Sequence, residues 1–333
     1  MAVRMEGPPT ATGRRRGSAG WSASEVGLRL GIVLIAAVLF VAFALTSSSF
    51  ATLGNLRNVL EQTTVVGIVA IGETVVMLTG GIDLSVGSSV LLSSVVMADL
   101  SINHGWPAAP AILVGILAGL AVGLVNGLVS VSLGIEPIIV TLGTLLAAGG
   151  LGQILLNNSW FTVRSRAFSD VAVISPAGVP LMVWAMLALY LVAMLLMYRT
   201  TFGRTIYAIG GNRAAARLAG LAVGRRLVAV YALSGLLAGI AGYFEAGQLG
   251  IISQNDGSGM EFSAILAVLI GGLSVKTGGV GRIEKTLVGA IVAGMIANYL
   301  VLRGVPGAYE QAAVGALILA AVLGDHVLRR GES

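Results

Sequence analysis

The residues best placed for chemistry lie at 79–88, T-G-G-I-D-L-S-V-G-S, between two long apolar runs. This stretch sets a carboxylate (Asp83), two hydroxyls (Ser85, Ser88) and three glycines (Gly80, Gly81, Gly87) where the flanks predict a membrane. Glycine pairs let a helix break, and a broken helix at membrane depth survives only against protein or a water-filled cavity. A carboxylate there is costly, which makes Asp83 a functional-site candidate. The competing reading puts Asp83 at the water boundary, where it caps the next helix, as Asp before an apolar run readily does. On both readings the stretch is a helix junction. Asn126 and Thr141, polar within apolar runs further on, join Asp83 and Ser85 as candidates for groups beside a translocation pathway.

Catalysis by the chain itself is not expected. A phosphate-binding loop needs G-x-x-x-x-G-K-[ST]. The nearest approach, G-G-L-S-V-K-T at 271–277, has valine for the second glycine and ends an apolar run. No Ser-His-Asp set or metal-ligand spacing appears, and His104 and His326 are far apart. There is no cysteine, which excludes disulfides and thiolate metal sites. No cofactor is expected on this chain; if it pumps, the nucleotide chemistry belongs to another subunit.

Composition predicts what positions these residues. The 333 residues are 56% hydrophobic and 11% charged, with a mean hydropathy of +0.93. A soluble domain carries about 45–50% apolar and about 25% charged residues, so too little polar surface remains to wet a globule. The fold class is an all-α integral membrane protein. A bilayer needs runs near ~20 residues, and such runs fall at 28–45, 60–79, 85–101, 109–131, 137–156, 181–198, 227–247, 262–276, 286–302 and 309–327. The expectation is about ten transmembrane helices, with a range of eight to eleven. Residues 1–27 read as a basic disordered tail carrying Arg14–Arg16, 28–328 as the transmembrane domain and 329–333 as a C-terminal tail. The first apolar run is too long for a signal-peptide core, and T-S-S-S-F after it is a poor cleavage site.

Charge orients the spans. With both termini inside, all 20 lysines and arginines except Arg57, Arg164, Arg166 and Arg303 fall on the cytoplasmic side, as the positive-inside rule requires. The net charge of +5 is thereby explained by topology, and no nucleic-acid partner is inferred. Within the spans, Gly115, Gly119, Gly123 and Gly127 recur every four residues, as do Gly235 and Gly239, followed by Gly242. Small residues at that spacing let membrane helices approach closely. The two phrases resemble one another on helices running in opposite directions, a hint of an inverted repeat. Two outer segments, 157–180 and 250–260, read either as docking loops or as ordinary solvated ones.

The inner loop at 199–226 is the most informative soluble piece. Asn212 follows a Gly210-Gly211 turn as an N-cap, and Arg213 to Ala219 form a short helix that Gly220 ends. Its alanines and leucine suit a docking surface; the alternative is a helix held at the membrane surface by arginine and lipid headgroups.

Four segments resemble the membrane permease subunit of bacterial sugar ABC importers, the ribose, galactose, xylose and autoinducer-2 group. They are 72–88 (G-E-T-V-V-M-L-T-G-G-I-D-L-S-V-G-S), 123–143 (G-L-V-N-G-L-V-S-V-S-L-G-I-E-P-I-I-V-T-L-G), 201–242 and 267–294 with its I-G-G-L-S core. The wider group includes branched-chain amino-acid permeases; G-G-I-D-L-S-V-G-S is similar to the sugar branch. The resemblance implies a multi-pass bacterial inner-membrane importer of a monosaccharide or related small polar solute, working by alternating access. It implies two permease chains as a homodimer, a cytoplasmic ATPase that uses ATP and Mg, and a periplasmic or lipid-anchored solute-binding protein. It also implies that Gly203, Arg204, Tyr207, Gly210, Gly211, Asn212, Ala215, Ala216, Arg217, Leu218 and Gly220 form a loop coupling to the ATPase. The family usually shows acidic residues before its Ala-Ala pair, where this chain has Arg213 and Ala214. The rival classes are an ion-coupled secondary transporter, which would have to use Glu73, Asp83 or Glu245, and a non-transport membrane scaffold.

Overall fold

The computed structural model describes residues 23–163, 165–273 and 278–330, with side chains from 31 to 323. The basic triplet, Arg164, Lys276 and the His326 side chain lie outside the described residues. The elements are α1 (Ala23–Thr46), α2 (Leu53–Leu78), α3 (Val86–Ile102), α4 (Ala108–Leu133), α5 (Pro137–Leu156), β1 (Phe161–Thr162), α6 (Arg166–Val173), α7 (Leu181–Arg199), α8 (Thr201–Gly211), α9 (Arg213–Leu218), α10 (Val223–Leu249), β2 (Ile251–Ile252), α11 (Met260–Ile270), α12 (Ile283–Leu302) and α13 (Gly307–Arg330). Among the described residues the only sheet is the antiparallel β1–β2 pair, with Phe161 opposite Ile252. The protein is an all-α membrane fold.

Each of the ten expected spans has its helix. Six (α2, α4, α5, α7, α10, α12) are long and apolar enough to cross a bilayer, and α1, α3, α11 and α13 carry shorter apolar stretches. Several boundaries differ from the sequence expectation. The first helix begins at Ala23, inside the expected tail. The second begins at Leu53, because Thr52 caps it by accepting from the Asn55 N–H at 3.3 Å. The last helix runs to Arg330, past the expected start of the tail. Gly210 and Gly211 are not a turn; they close α8. The expected span at 262–276 is cut short at Ile270 by Gly271 and by Gly272, whose φ of +83° is left-handed. The 11 residues of α11 rise about 16 Å, roughly half a bilayer core.

Burial sorts the helices into inner and peripheral. The apolar window of α2 is 78% buried and that of α10 61%, against 22% for α5. So α2 and α10 form the centre. Their fully buried side chains, among them Ile68, Ile71, Val230 and Tyr231, belong to one apolar core with Met186 and Tyr190 of α7. Tyr190 donates its hydroxyl to the Gly67 carbonyl at 3.0 Å, which keeps its polar end satisfied.

Most of the two glycine phrases forms the crossing of α4 and α10, while Gly115 and Gly242 pack on α3. A Cβ at Gly119 would sit 2.8 Å from the Gly239 Cα, and one at Gly123 3.0 Å from the Gly235 Cα. Gly127 packs against Val228 in the same way. Residue numbers rise along one helix as they fall along the other, so the pair is antiparallel, in accord with the opposite directions expected from charge. Lipid tails give helices no hydrophobic reason to associate, so this backbone contact supplies dispersion that bulkier residues would forbid. Gly123→Ala should cost about 1–3 kcal/mol through overpacking. Gly143→Ala, with nothing within 4 Å of its added Cβ, should be neutral or stabilising by up to about 1 kcal/mol. Thermal unfolding of the two variants in detergent distinguishes them.

Candidate functional site

The break between α2 and α3 is built from glycine and hydrogen bonds. Gly80 takes a φ of +80° and turns the chain away from the end of α2. The chain then folds back beside that helix, so that the Asp83 N–H lies 3.3 Å and 3.4 Å from the two carboxylate oxygens of Glu73, ten residues earlier. Asp83 Oδ1 accepts from the Ser85 N–H at 3.1 Å and from the Ser85 hydroxyl at 2.7 Å. Its Oδ2 accepts from the Ser234 hydroxyl of α10 at 2.8 Å. Ser85 Oγ accepts in turn from Asn126 Nδ2 of α4 at 2.7 Å, and Asn126 Oδ1 accepts from Thr144 Oγ1 of α5 at 2.6 Å. Thr141 donates toward the carbonyls of Ile82 (3.4 Å) and Ile138 (3.3 Å).

The structure therefore brings Asp83, Ser85, Asn126 and Thr141 together, and it buries all of them to 1% exposure or less. The N-cap of α3 is Ser85, whose side chain makes no capping bond; Asp83 ties that helix start by taking the Ser85 N–H. The net joins the break to three other helices. Ser234 and Thr144 complete it, and sequence reasoning missed both: a serine or threonine inside a membrane helix usually bonds its own backbone and so gives no signal of a distant partner.

Residues 278–281, described ahead of α12, form a second break that meets the first. The Gly279 N–H donates to the Leu78 carbonyl at 2.8 Å, and Arg213 Nη2 donates to the Thr79 carbonyl at 3.3 Å. Gly210 packs directly on Leu78 and Gly279, with no room for a Cβ. Tyr207 donates its hydroxyl to the Gly281 carbonyl at 3.1 Å, and burial pushes that hydroxyl's pKa up. Thr200 caps α8 by accepting from the Phe202 and Gly203 N–H groups, and Gly203 lies against Met197. The expected short helix is α9. Asn212 caps it by accepting from the Ala215 N–H at 2.9 Å, and Gly220 with a φ of +77° follows it. Arg204, Ala215, Arg217 and Leu218 are exposed, with Leu218 at 90%. Ala216 is not part of that outer face. It is buried, and packs with Ile209, Val223 and Leu227.

The opposite end of the bundle holds a cleft of about 690 Å³ between α2, α10, α11 and α13. Glu245, Asp256, Glu261 and Glu310 line it, with Asn255, Gln311 and Phe262. A smaller cleft of about 310 Å³ between α3 and α5 shares 255–258 and Glu261. The 250–260 segment thus borders both clefts and is not a free loop. Its Asp256 is fixed by accepting from the Ser253 N–H at 2.9 Å and hydroxyl at 2.6 Å. No cluster of three or more His, Cys, Asp or Glu among the described residues could hold a metal ion.

Breaks between apolar helices, an all-α core and a buried polar net at the first break are the features of a solute permease. Residues 55–322 match the family described as branched-chain amino acid transport system / permease component. The chain is 38% identical over 291 residues to the ribose import permease protein RbsC of Escherichia coli K12, covering 85% of this chain and 87% of the relative. It is 33% identical to the fructose import permease protein FrcC of Rhizobium meliloti (78% and 74% covered) and 36% identical to the L-arabinose ABC transporter permease protein AraH of Azospirillum brasilense (79% and 77%). No solved structure matches the chain. The chain belongs to the family of sugar ABC importer permeases. It is a multi-pass inner-membrane protein, and such subunits are not themselves enzymes.

Ser234→Ala should lower stability by about 1–3 kcal/mol, because it leaves a buried carboxylate oxygen of Asp83 without its donor. Ser88→Ala removes only a bond to the Ser85 carbonyl one turn back, and should stay within about 0.5 kcal/mol. Unfolding midpoints of the two variants, measured side by side, check the difference.

Proposed function

We propose that this chain is the membrane-spanning half-channel of an ATP-driven importer that moves a monosaccharide or related small polar solute inward by alternating access. The junction of α8–α9 with both helix breaks carries this reading. Gly279 holds the carbonyl of Leu78, the last residue of α2, and Arg213 that of Thr79, which follows it, so a displacement of α9 acts directly on the segment that contains Asp83. The relatives bear names of ribose, fructose and arabinose permeases, which supports a sugar as cargo.

In this scheme two copies form the pathway, with both termini and α8–α9 in the cytoplasm. A separate subunit binds ATP and Mg and hydrolyses the nucleotide, and a solute-binding protein delivers the cargo from outside. The exposed side chains of Arg204, Arg217 and Leu218 meet the ATPase, while Gly203, Tyr207, Gly210, Gly211, Asn212, Ala215, Ala216 and Gly220 give the segment its shape. Asp83, Ser85, Asn126 and Thr141 serve the route by latching the α2–α3 break to α4, α5 and α10.

The test pairs co-purification with uptake. Leu218→Asp changes an exposed side chain and should leave the chain folded, yet abolish capture of the ATPase in detergent and ATP-dependent sugar uptake in proteoliposomes. Ala216→Asp should instead unfold the segment, because it buries an unpaired charge. Undiminished capture of the ATPase by the Leu218 variant would show that α9 is not the docking surface. Uptake that needs neither ATP nor a partner would refute the importer reading.

A further inference from the structure

We propose that the 690 Å³ cleft between α2, α10, α11 and α13 is a solute site that holds a neutral polyhydroxylated molecule through its hydroxyl groups. The proposal deepens the importer reading and rests on it for the class of cargo. Glu245 supplies the observation that points to a ligand. Its side chain lines the cleft, is only 8% exposed, and its Oε2 has no hydrogen-bond partner. A buried polar oxygen left unmet costs about 1–3 kcal/mol, and a ligand hydroxyl, which both donates and accepts, would meet it whether or not the carboxyl carries a proton.

The rest of the lining says what kind of donor. Among the described residues no lysine or arginine lines the cleft, so the acids Glu245, Glu261 and Glu310 face no described cationic neighbour there. The described carboxylates do not converge as a metal site would require. The ligand must therefore bring several separated donors. Asn255, Ser258, Ser263 and Gln311 can each donate and accept, which matches hydroxyl groups, since a hydroxyl does both. An organic ammonium ion would use the acids and leave those amide and hydroxyl groups idle. Phe262, 48% exposed, gives an apolar wall, and the volume lies within the range of about 300–1,000 Å³ usual for small-molecule sites.

The absence of cysteine makes the test direct. Ser258→Cys and Gln311→Cys place a single thiol in the cleft, and Asn103→Cys provides an exposed control elsewhere. The full chain in nanodiscs is treated with a cationic and an anionic methanethiosulfonate reagent, with or without ribose, fructose, arabinose or choline at millimolar concentration. Both cleft thiols should react several-fold faster with the cationic reagent. At least one of the three sugars should slow that reaction several-fold without affecting the control. Glu245→Gln added to Ser258→Cys should remove the protection while leaving the thiol reactive. Cleft thiols that do not react, protection by choline alone, or no protection by any of the four compounds would each overturn the proposal. ATP-driven uptake by the complete complex is read in parallel. Uptake without protection removes the site and leaves the importer; protection without uptake does the reverse.

Discussion

The structure depends on one constraint: a helix break buried within protein has no water to take its orphaned backbone groups. The end of α2 meets it with partners distant in sequence. Gly279 satisfies the Leu78 carbonyl, and Arg213 reaches the Thr79 carbonyl. On the far side of the break, Asp83 takes three donors from Ser85 and Ser234. Those bonds make the break a fixed feature, not a frayed end. They also mean that the break is whole only while α8–α9 and the second break stay in place. In the proposed scheme, stability and coupling rest on the same set of contacts.

Close backbone packing lets this arrangement fit. Gly119 and Gly123 bring α4 against Gly235 and Gly239 of α10, within distances no side chain would allow. That proximity sets Asn126 of α4 within 2.7 Å of Ser85, and Ser234 of α10 within 2.8 Å of Asp83. Gly210 plays the same part at the other junction, where a Cβ would push α8 off Leu78 and Gly279. The small residues thus do more than pack a bundle. They bring the polar groups of four helices within hydrogen-bonding reach.

Much of this was legible in the sequence, because membrane burial leaves a strong mark. Apolar runs marked the ten spanning helices, charge asymmetry gave α4 and α10 opposite directions, and the Asn212 cap with Gly220 outlined α9. The boundaries were less legible because capping acts locally. Thr52 extended α2 well before its apolar run, and Gly272 stopped α11 before its run ended. Asp83 stood out as a carboxylate between apolar runs, with burial and a boundary cap both open, but Ser234 and Thr144 did not, since their roles exist only after the helices pack. The inward face of Ala216 was hidden for the same reason: a six-residue helix such as α9 shows no periodicity from which a buried side could be read. The acidic cleft was the hardest to foresee. Glu245, Glu261 and Glu310 come from three separate helices, and 250–260 read equally well as a solvated loop.

One helix touches every part of the proposed machine. The 27 residues of α10 rise about 40 Å. Val223, at its first turn, packs with Ala216 of α9. Tyr231, two turns on, sets its hydroxyl against Gly81, where a side chain would collide with it. Ser234 then holds Asp83, and Glu245 lines the cleft roughly 16 Å further along by helical rise. A helix buried on several sides moves as a rod, because packed cores switch between arrangements and do not deform continuously. In the proposed scheme a shift of α9 is felt at the break and at the cleft through one rigid element. The two ends of the molecule can communicate without a chain of small side-chain adjustments, which is what alternating access requires of them.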